Sequence, residues 1–315
     1  MVPYRAQRLP DPQRRRSQLN DNHSAQADTA GRRPGLLQVL NPPIYLISLL
    51  PGIGVWILLL PHTGSGVRYL APATLAVVLL QHTINLLNDA SDWKLGADSE
   101  KYDSWVRFHH DSTRAATVHG WISFALGALL GLAVLVQADK LWILAIAAPM
   151  LILGYLYNSG PRPLSYTHLG EWVTGLCYGP GVFGCLWLLG GETLNTTAVA
   201  GMLAFAALAM SLLLSHQPPQ IETDRQAGKQ SFAVRYGAQR TRLVSRLLFV
   251  LFLLSYGGAL WTNVYDGIAR QLYGATALLA LLRIAFAPVK PVNILLPSAV
   301  LLIVTLFASL AEAPF

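Results

Sequence analysis

Long apolar runs alternate with short polar segments along almost the whole chain, and they show no strict two-residue alternation of the kind a half-buried strand would carry. Nine runs approach the ~20 residues that a helix needs to cross a bilayer: 36–60, 68–88, 114–138, 140–157, 171–190, 195–215, 243–262, 268–287 and 291–312. The third and fourth are separated by little more than Asp139 and Lys140, which predicts a tight hairpin. The pattern predicts an all-α, polytopic membrane protein with residues 36–315 as the transmembrane domain. Residues 1–35 hold the Arg14–Arg16 triplet and a Ser/Asn/Gln/Asp-rich stretch, and they read as a disordered basic cytoplasmic tail.

Composition agrees with this reading, since 53% of residues are hydrophobic and only 12% charged, outside the balance of a soluble domain. Charge then orients the bundle. With the N-terminus inside, segments 1–35, 89–114, 158–170, 216–246 and 283–290 face the cytoplasm and carry 20 of the 23 Lys and Arg residues, leaving out only Arg68, Lys140 and Arg270. An excess of this kind on one side is what the positive-inside rule requires. The net charge of +7 therefore belongs to one face of a plasma (inner) membrane, where it attracts anionic headgroups and anionic substrates, and nucleic-acid binding is not expected. Cys177 and Cys185 lie eight apart within one span, without His or acid at ligand spacing, and read as small apolar residues.

The acids are placed unevenly. Six of the sixteen fall between Asp89 and Asp111, directly after the second apolar run. If that helix continues past Ile84, then Asn85, Asn88, Asp89 and Asp92 share a face at spacings of three and four. Clustered carboxylates need a compensating cation, and oxygen-only ligands suit Mg²⁺. A second polar segment, His216–Gly237, offers Glu222 and Asp224 as carboxylates beside Arg225, Lys229 and Arg235 as cations. Metal ligands together with bases for phosphate oxygens suit diphosphate chemistry. Between the two lies YNSGPRPLSYTHLGE, residues 157–171, the loop dense in Gly, Pro and Tyr, with Arg162 as its cation. His109, His110 and Asp111 lack further ligands and read as a solvated loop.

Together these three segments resemble the UbiA-type intramembrane aromatic prenyltransferases, and among them the naphthoate-prenylating branch. Asn88, Asp89, Asp92, Gly96 and Asp98 match that branch's NDxxDxxxGxD, GPRPLSYTHLGE is similar to its GPRPLxYxGLGE, and ETDRQAGKQSFAVRYG is similar to its second motif and the stretch that trails it. The NRPxRPIP-like sequence of other branches is absent; WVRFHHDSTRAATVHG stands in its place. The resemblance implies nine helices around a central cavity open to the cytoplasm. It also implies transfer of a polyprenyl group from a polyprenyl diphosphate to a small aromatic acceptor such as dihydroxynaphthoate, in quinone biosynthesis.

Carried over residue by residue, the resemblance implies Mg²⁺ held by Asn88, Asp89, Asp92, Asp98, Glu222 and Asp224, with Asp92 and Asp224 as the catalytic pair. Asn85, Arg162, Tyr166, Gln220, Arg225 and Lys229 would bind substrate. One departure stands out: Gln220 occupies the position of the first aspartate of the family's second DxxxD motif, while His216 and Gln217 replace its usual paired asparagines. Gln220 leaves open a non-catalytic isoprenoid-binding paralogue. A multi-span transporter is the other alternative, but the acids sit at span ends rather than mid-span. No general base is evident.

Overall fold

The computed structural model describes residues 33–60, 66–96, 101–160, 163–263 and 267–312. Among these, every regular element is helical and nine helices are long and apolar enough to cross a membrane. We number the long helices α1 (Leu46–Leu59), α2 (Leu70–Leu95), α3 (Thr113–Gln137), α4 (Leu144–Asn158), α5 (Gly170–Leu189), α6 (Thr196–His216), α7 (Phe232–Asn263), α8 (Ile268–Phe286) and α9 (Val292–Glu312). Most of the tail, residues 1–32, lies outside the described residues, as do Asp98 and Arg162.

The apolar runs of the sequence become these helices with three instructive differences. The first run breaks at Asn41, whose left-handed φ of 44° separates the short helix Leu36–Leu40 from a 3-10 turn at Pro42–Tyr45 that leads into α1. The second extends beyond its apolar stretch to Leu95, so the polar motif is helical as its spacing predicted. The fifth contains a π-helical segment, Cys177–Gly184, around Pro180. Proline supplies no N–H to the helical ladder, and one way to accommodate it is this wider winding. The hairpin between α3 and α4 turns at Asp139, with φ of 54°, as predicted.

The packing is that of a bilayer protein. Exposed Trp121, Ile122, Leu126, Leu129, Leu132 and Val136 form an apolar outer face on α3, and Leu278, Leu279, Leu282 and Phe286 form one on α8. Large apolar side chains exposed at helical spacing across a whole bundle are matched to lipid rather than to water. Inside, Phe183, Trp187, Phe205, Phe249, Phe252 and Tyr256 pack into one buried cluster through stacked, tilted and edge-on ring contacts. Small residues let the helices approach it: a Cβ on Gly201 would lie 2.1 Å from the Phe183 ring. The Tyr256 hydroxyl is satisfied by donating to the Gly54 carbonyl at 2.9 Å.

Candidate active site

The three polar segments meet at one end of the bundle. Their meeting point is Asp92, in the last turns of α2 and 3% exposed. It accepts hydrogen bonds from Asn88 Nδ2 at 3.0 Å on its own helix, from the Tyr166 hydroxyl at 2.8 Å and from Lys229 Nζ at 3.1 Å. Lys229 also lies 4.0 Å from Asp224 and 4.8 Å from the centre of the Tyr166 ring, so one ammonium bridges two carboxylates over an aromatic face. Asp224 takes a further bond from the Ser231 hydroxyl at 2.9 Å.

Asp89 does something different. One oxygen accepts from Lys101 Nζ at 2.9 Å and the other from the Trp105 backbone N–H at 2.7 Å. The motif's glycine makes this possible: Gly96, with φ of 78°, ends α2 in a left-handed turn and bonds back to Asp92 and Trp93. Lys101 and Trp105, further along the chain, lie against Asp89 on that helix.

A further buried carboxylate, Glu171 at the start of α5, locks the other two segments together. It accepts from Gln217 Nε2 at 3.0 Å, the Phe232 N–H at 2.7 Å and Arg235 at 3.4 Å, while Gln217 Oε1 accepts from the Ala233 N–H at 3.1 Å. The Gln230 N–H donates to the Tyr166 carbonyl at 3.0 Å. Lys229 is therefore carried on a segment pinned from both sides. Glu171 belonged to the matched loop, but its bonding role was not expected from the sequence. A lone acid opening an apolar run was the available signal. Gln217, Ser231 and Lys101 gave no such signal.

Three expected site residues point away. Glu222 pairs with Arg225 at 3.0 Å and with Gln226 at 3.1 Å, the two charged side chains being 69% and 58% exposed, in an ordinary surface arrangement of one short helix, Ile221–Gln226. Helical spacing explains it, because Glu222 lies two positions, about 200° around the helix, from the buried face that Asp224 occupies. Gln220 is likewise exposed, at the end of a 3-10 turn. His109 also differs from expectation. His110 is exposed, whereas His109 bonds His119 at 3.1 Å and packs against Trp105 and Phe108.

Next to Asn88 and Asp89 opens a cavity of ≈330 Å³, lined by polar Gln81, Asn85, Lys101, Tyr157, Asn158 and Thr174 among apolar neighbours. It adjoins a second cavity of ≈200 Å³ whose walls, from Ala73 and Val77 to Leu135, Ile143 and Leu189, are almost wholly apolar. Gln81, Ile84, Gly154, Cys177 and Tyr178 border both, and so form the boundary, or neck, at which the two cavities meet. Cys177 and Cys185 are free thiols.

Among the described residues no three His, Cys, Asp or Glu side chains converge on one point. The donors are instead the Asn88–Asp92 pair on α2 and Asp224 across Lys229. That set fits magnesium, which usually takes one or two carboxylates and completes its shell with water and substrate phosphate. It would not make a closed structural site.

Residues 46–293 match the family described as "UbiA prenyltransferase family". A 1,4-dihydroxy-2-naphthoate octaprenyltransferase of Mycobacterium tuberculosis is 29% identical over 231 residues, 72% of this chain and 76% of that protein. One from Bacillus subtilis is 23% identical over 227 residues, covering 70% and 72%. A UbiA homologue from Archaeoglobus fulgidus, solved with DMAPP and Mg²⁺, superposes with a TM-score of 0.63 over 87% of this chain and 97% of its own at 17% identity, which establishes the shared fold.

Proposed function

The chain belongs to the UbiA prenyltransferase family and is a multi-pass membrane prenyltransferase; on that premise we propose that it transfers a polyprenyl group from an allylic diphosphate to 1,4-dihydroxy-2-naphthoate or a close analogue, in quinone biosynthesis. The observation that carries this reading is Asp92. Side chains from all three polar segments meet on it, one helical turn beyond Asn88, which lines a polar cavity that adjoins an apolar one. The named relatives act on the same acceptor.

In this reading the donor's diphosphate sits at Lys229, and its hydrocarbon chain runs through the neck along α2 into the apolar cavity. Bound by Asn88, Asp92 and Asp224, magnesium would supply charge neutralisation to the diphosphate and so make it a better leaving group. Lys229 donates a hydrogen bond to a diphosphate oxygen as the C–O bond breaks and its electron pair leaves with the diphosphate. Arg162 and Asp98, on the same two segments, add a cation and a carboxylate. Tyr166 and Tyr157 offer ring faces to the allylic cation and exclude water, which would otherwise capture it. A ring carbon of the acceptor then forms the new C–C bond with the allylic carbon, and the ring regains its aromaticity by losing the group already on that carbon, a proton to water or, where the carboxylated carbon is attacked, CO₂. Glu222, Gln220 and Arg225 take no part, so the second carboxylate position rests on Asp224 alone. Asp89 anchors the segment that carries Lys101 and Trp105. The site faces the cytoplasm across the plasma (inner) membrane, in the orientation that the Lys/Arg distribution supports.

The test is to incubate detergent-purified protein with MgCl₂, radiolabelled polyprenyl diphosphates and a panel of aromatic acceptors. Prenylated naphthoate product is expected; release of diphosphate with no prenylated aromatic from any acceptor would refute the reading.

A further inference from the structure

The neck between the two cavities is lined by one end of a hydrogen-bond chain that runs across three helices. The Tyr178 hydroxyl donates to Gln81 Oε1. Gln81 Nε2 donates to Asn85 Oδ1 at 2.9 Å, and the Asn85 amide lies beside the Tyr45 hydroxyl. The Tyr45 hydroxyl lies 2.6 Å from His82 Nδ1, His82 Nε2 lies 3.4 Å from His119 Nε2, and His119 Nδ1 lies 3.1 Å from His109 Nε2. A neutral imidazole has one donor and one acceptor nitrogen. One set of protons therefore satisfies every one of these bonds: with an Asn85 N–H directed at Tyr45, each group accepts from the Tyr178 side and donates toward His109. His119 engages its neighbours through opposite ring nitrogens, so the three histidines do not present a common point for a metal ion.

This directionality decides what the cavity meets. Gln81 has its oxygen occupied by Tyr178, and Asn85 has its oxygen turned to Gln81, so each amide has one N–H left for the cavity that both residues line. Opposite in character is Asn158, 1% exposed and lining the same cavity. Its Nδ2 donates to the Ile84 carbonyl at 3.0 Å, while its Oδ1 has no partner. A buried amide oxygen without a donor is costly, so it is a position that a ligand O–H would satisfy.

We propose that Gln81, Asn85 and Asn158 form the acceptor subsite: the two amide N–H groups hold one ring oxygen, and Asn158 Oδ1 accepts the O–H of a second ring hydroxyl. The ligand class is thus a dihydroxylated aromatic, seated where the polar cavity narrows toward the apolar one. The inference rests on the prenyl-transfer reading above and adds to it how the acceptor is selected. Tyr45 and His82 are positioning residues, since they fix the amide directions without lining the cavity.

The test measures equilibrium binding of 1,4-dihydroxy-2-naphthoate and its 1,4-dimethoxy counterpart to the purified full-length protein by calorimetry, in the wild type, Gln81→Met and Tyr45→Phe. Wild type should prefer the dihydroxy ring by about tenfold or more, because only a hydroxyl can donate to Asn158 Oδ1; Gln81→Met removes a donor to a ring oxygen that both ligands carry, and should weaken both by about fivefold, the size expected for losing a buried hydrogen bond. Tyr45→Phe should weaken both less, with binding of a prenyl diphosphate in MgCl₂ unchanged in that variant. No wild-type preference for the dihydroxy ring, undiminished ring affinity in Gln81→Met, or equal loss of donor and acceptor affinity in Tyr45→Phe would overturn the subsite. Turnover by the wild type is scored separately: binding selectivity without any product would refute the prenyl-transfer reading and leave the subsite standing.

Discussion

Removing Lys229 should unmask the electrostatic design of the site. Its ammonium stands 3.1 Å from Asp92 and 4.0 Å from Asp224, and the three side chains are 15%, 4% and 9% exposed. At an effective dielectric near 20, unit charges 4 Å apart interact by ~4 kcal/mol. Deleting one partner of a buried pair costs about 3–5 kcal/mol, because the remaining charge is left without compensation. In Lys229→Met the stem is kept and only the charge is lost, so two buried carboxylates lose the cation they share. In EDTA the variant should therefore unfold well below wild type in a detergent thermal melt. Magnesium replaces the lost charge; at a concentration 100 times its dissociation constant a ligand contributes ~2.7 kcal/mol. MgCl₂ should raise the apparent midpoint of Lys229→Met more than that of wild type. Equal midpoints in EDTA, or no added response to magnesium in the variant, would refute this account of the Asp92–Lys229–Asp224 triad.

Other outcomes follow from geometry away from that triad. Gly154 borders the neck, and a Cβ there would meet Ile84 at 3.4 Å, an ordinary contact, so the fold accepts a side chain that the passage does not; Gly154→Leu should raise KM for long prenyl donors while leaving dimethylallyl diphosphate nearly unaffected in the same steady-state assay. Glu222→Gln and Arg225→Gln break only an exposed pair, worth about 0–1 kcal/mol, and should retain wild-type magnesium dependence and kcat. Gly96→Ala forces a side chain into a left-handed conformation at a cost of about 1–2 kcal/mol; limited proteolysis should cut between residues 97 and 104 faster than in wild type.

The spans were legible because bilayer-spanning helices must satisfy their backbone internally and face lipid, which leaves long apolar runs with few charges. The polar motif on α2 was legible for a related reason: Asn88 and Asp92 are four apart, and the structure bonds them to each other. What the sequence could not convey was the direction of side chains on short elements. Glu222 and Asp224 are two residues apart on a six-residue helix, and only the docking of that helix decides that Asp224 is buried and Glu222 is not. The contributions of Glu171, Gln217 and Ser231 are tertiary bonds across segments dozens of residues apart, or a hydroxyl in a loop, and carry no periodic signature. The π-helical turn around Pro180, which lines both cavities, was hidden inside a run whose apolar character reads the same in an α-helix.

The most direct test of the central claim is diphosphate release coupled to product by the purified protein, measured with and without MgCl₂, in wild type and in Asp92→Asn. Asp92→Asn keeps the side-chain volume and removes the charge on which the three segments converge. The account predicts magnesium-dependent prenylation by wild type and a loss of about a hundredfold or more in the variant, the scale seen when one stabilising group is removed from a transition-state charge site. Asp92→Asn turning over at the wild-type rate, with the same magnesium dependence, would contradict it.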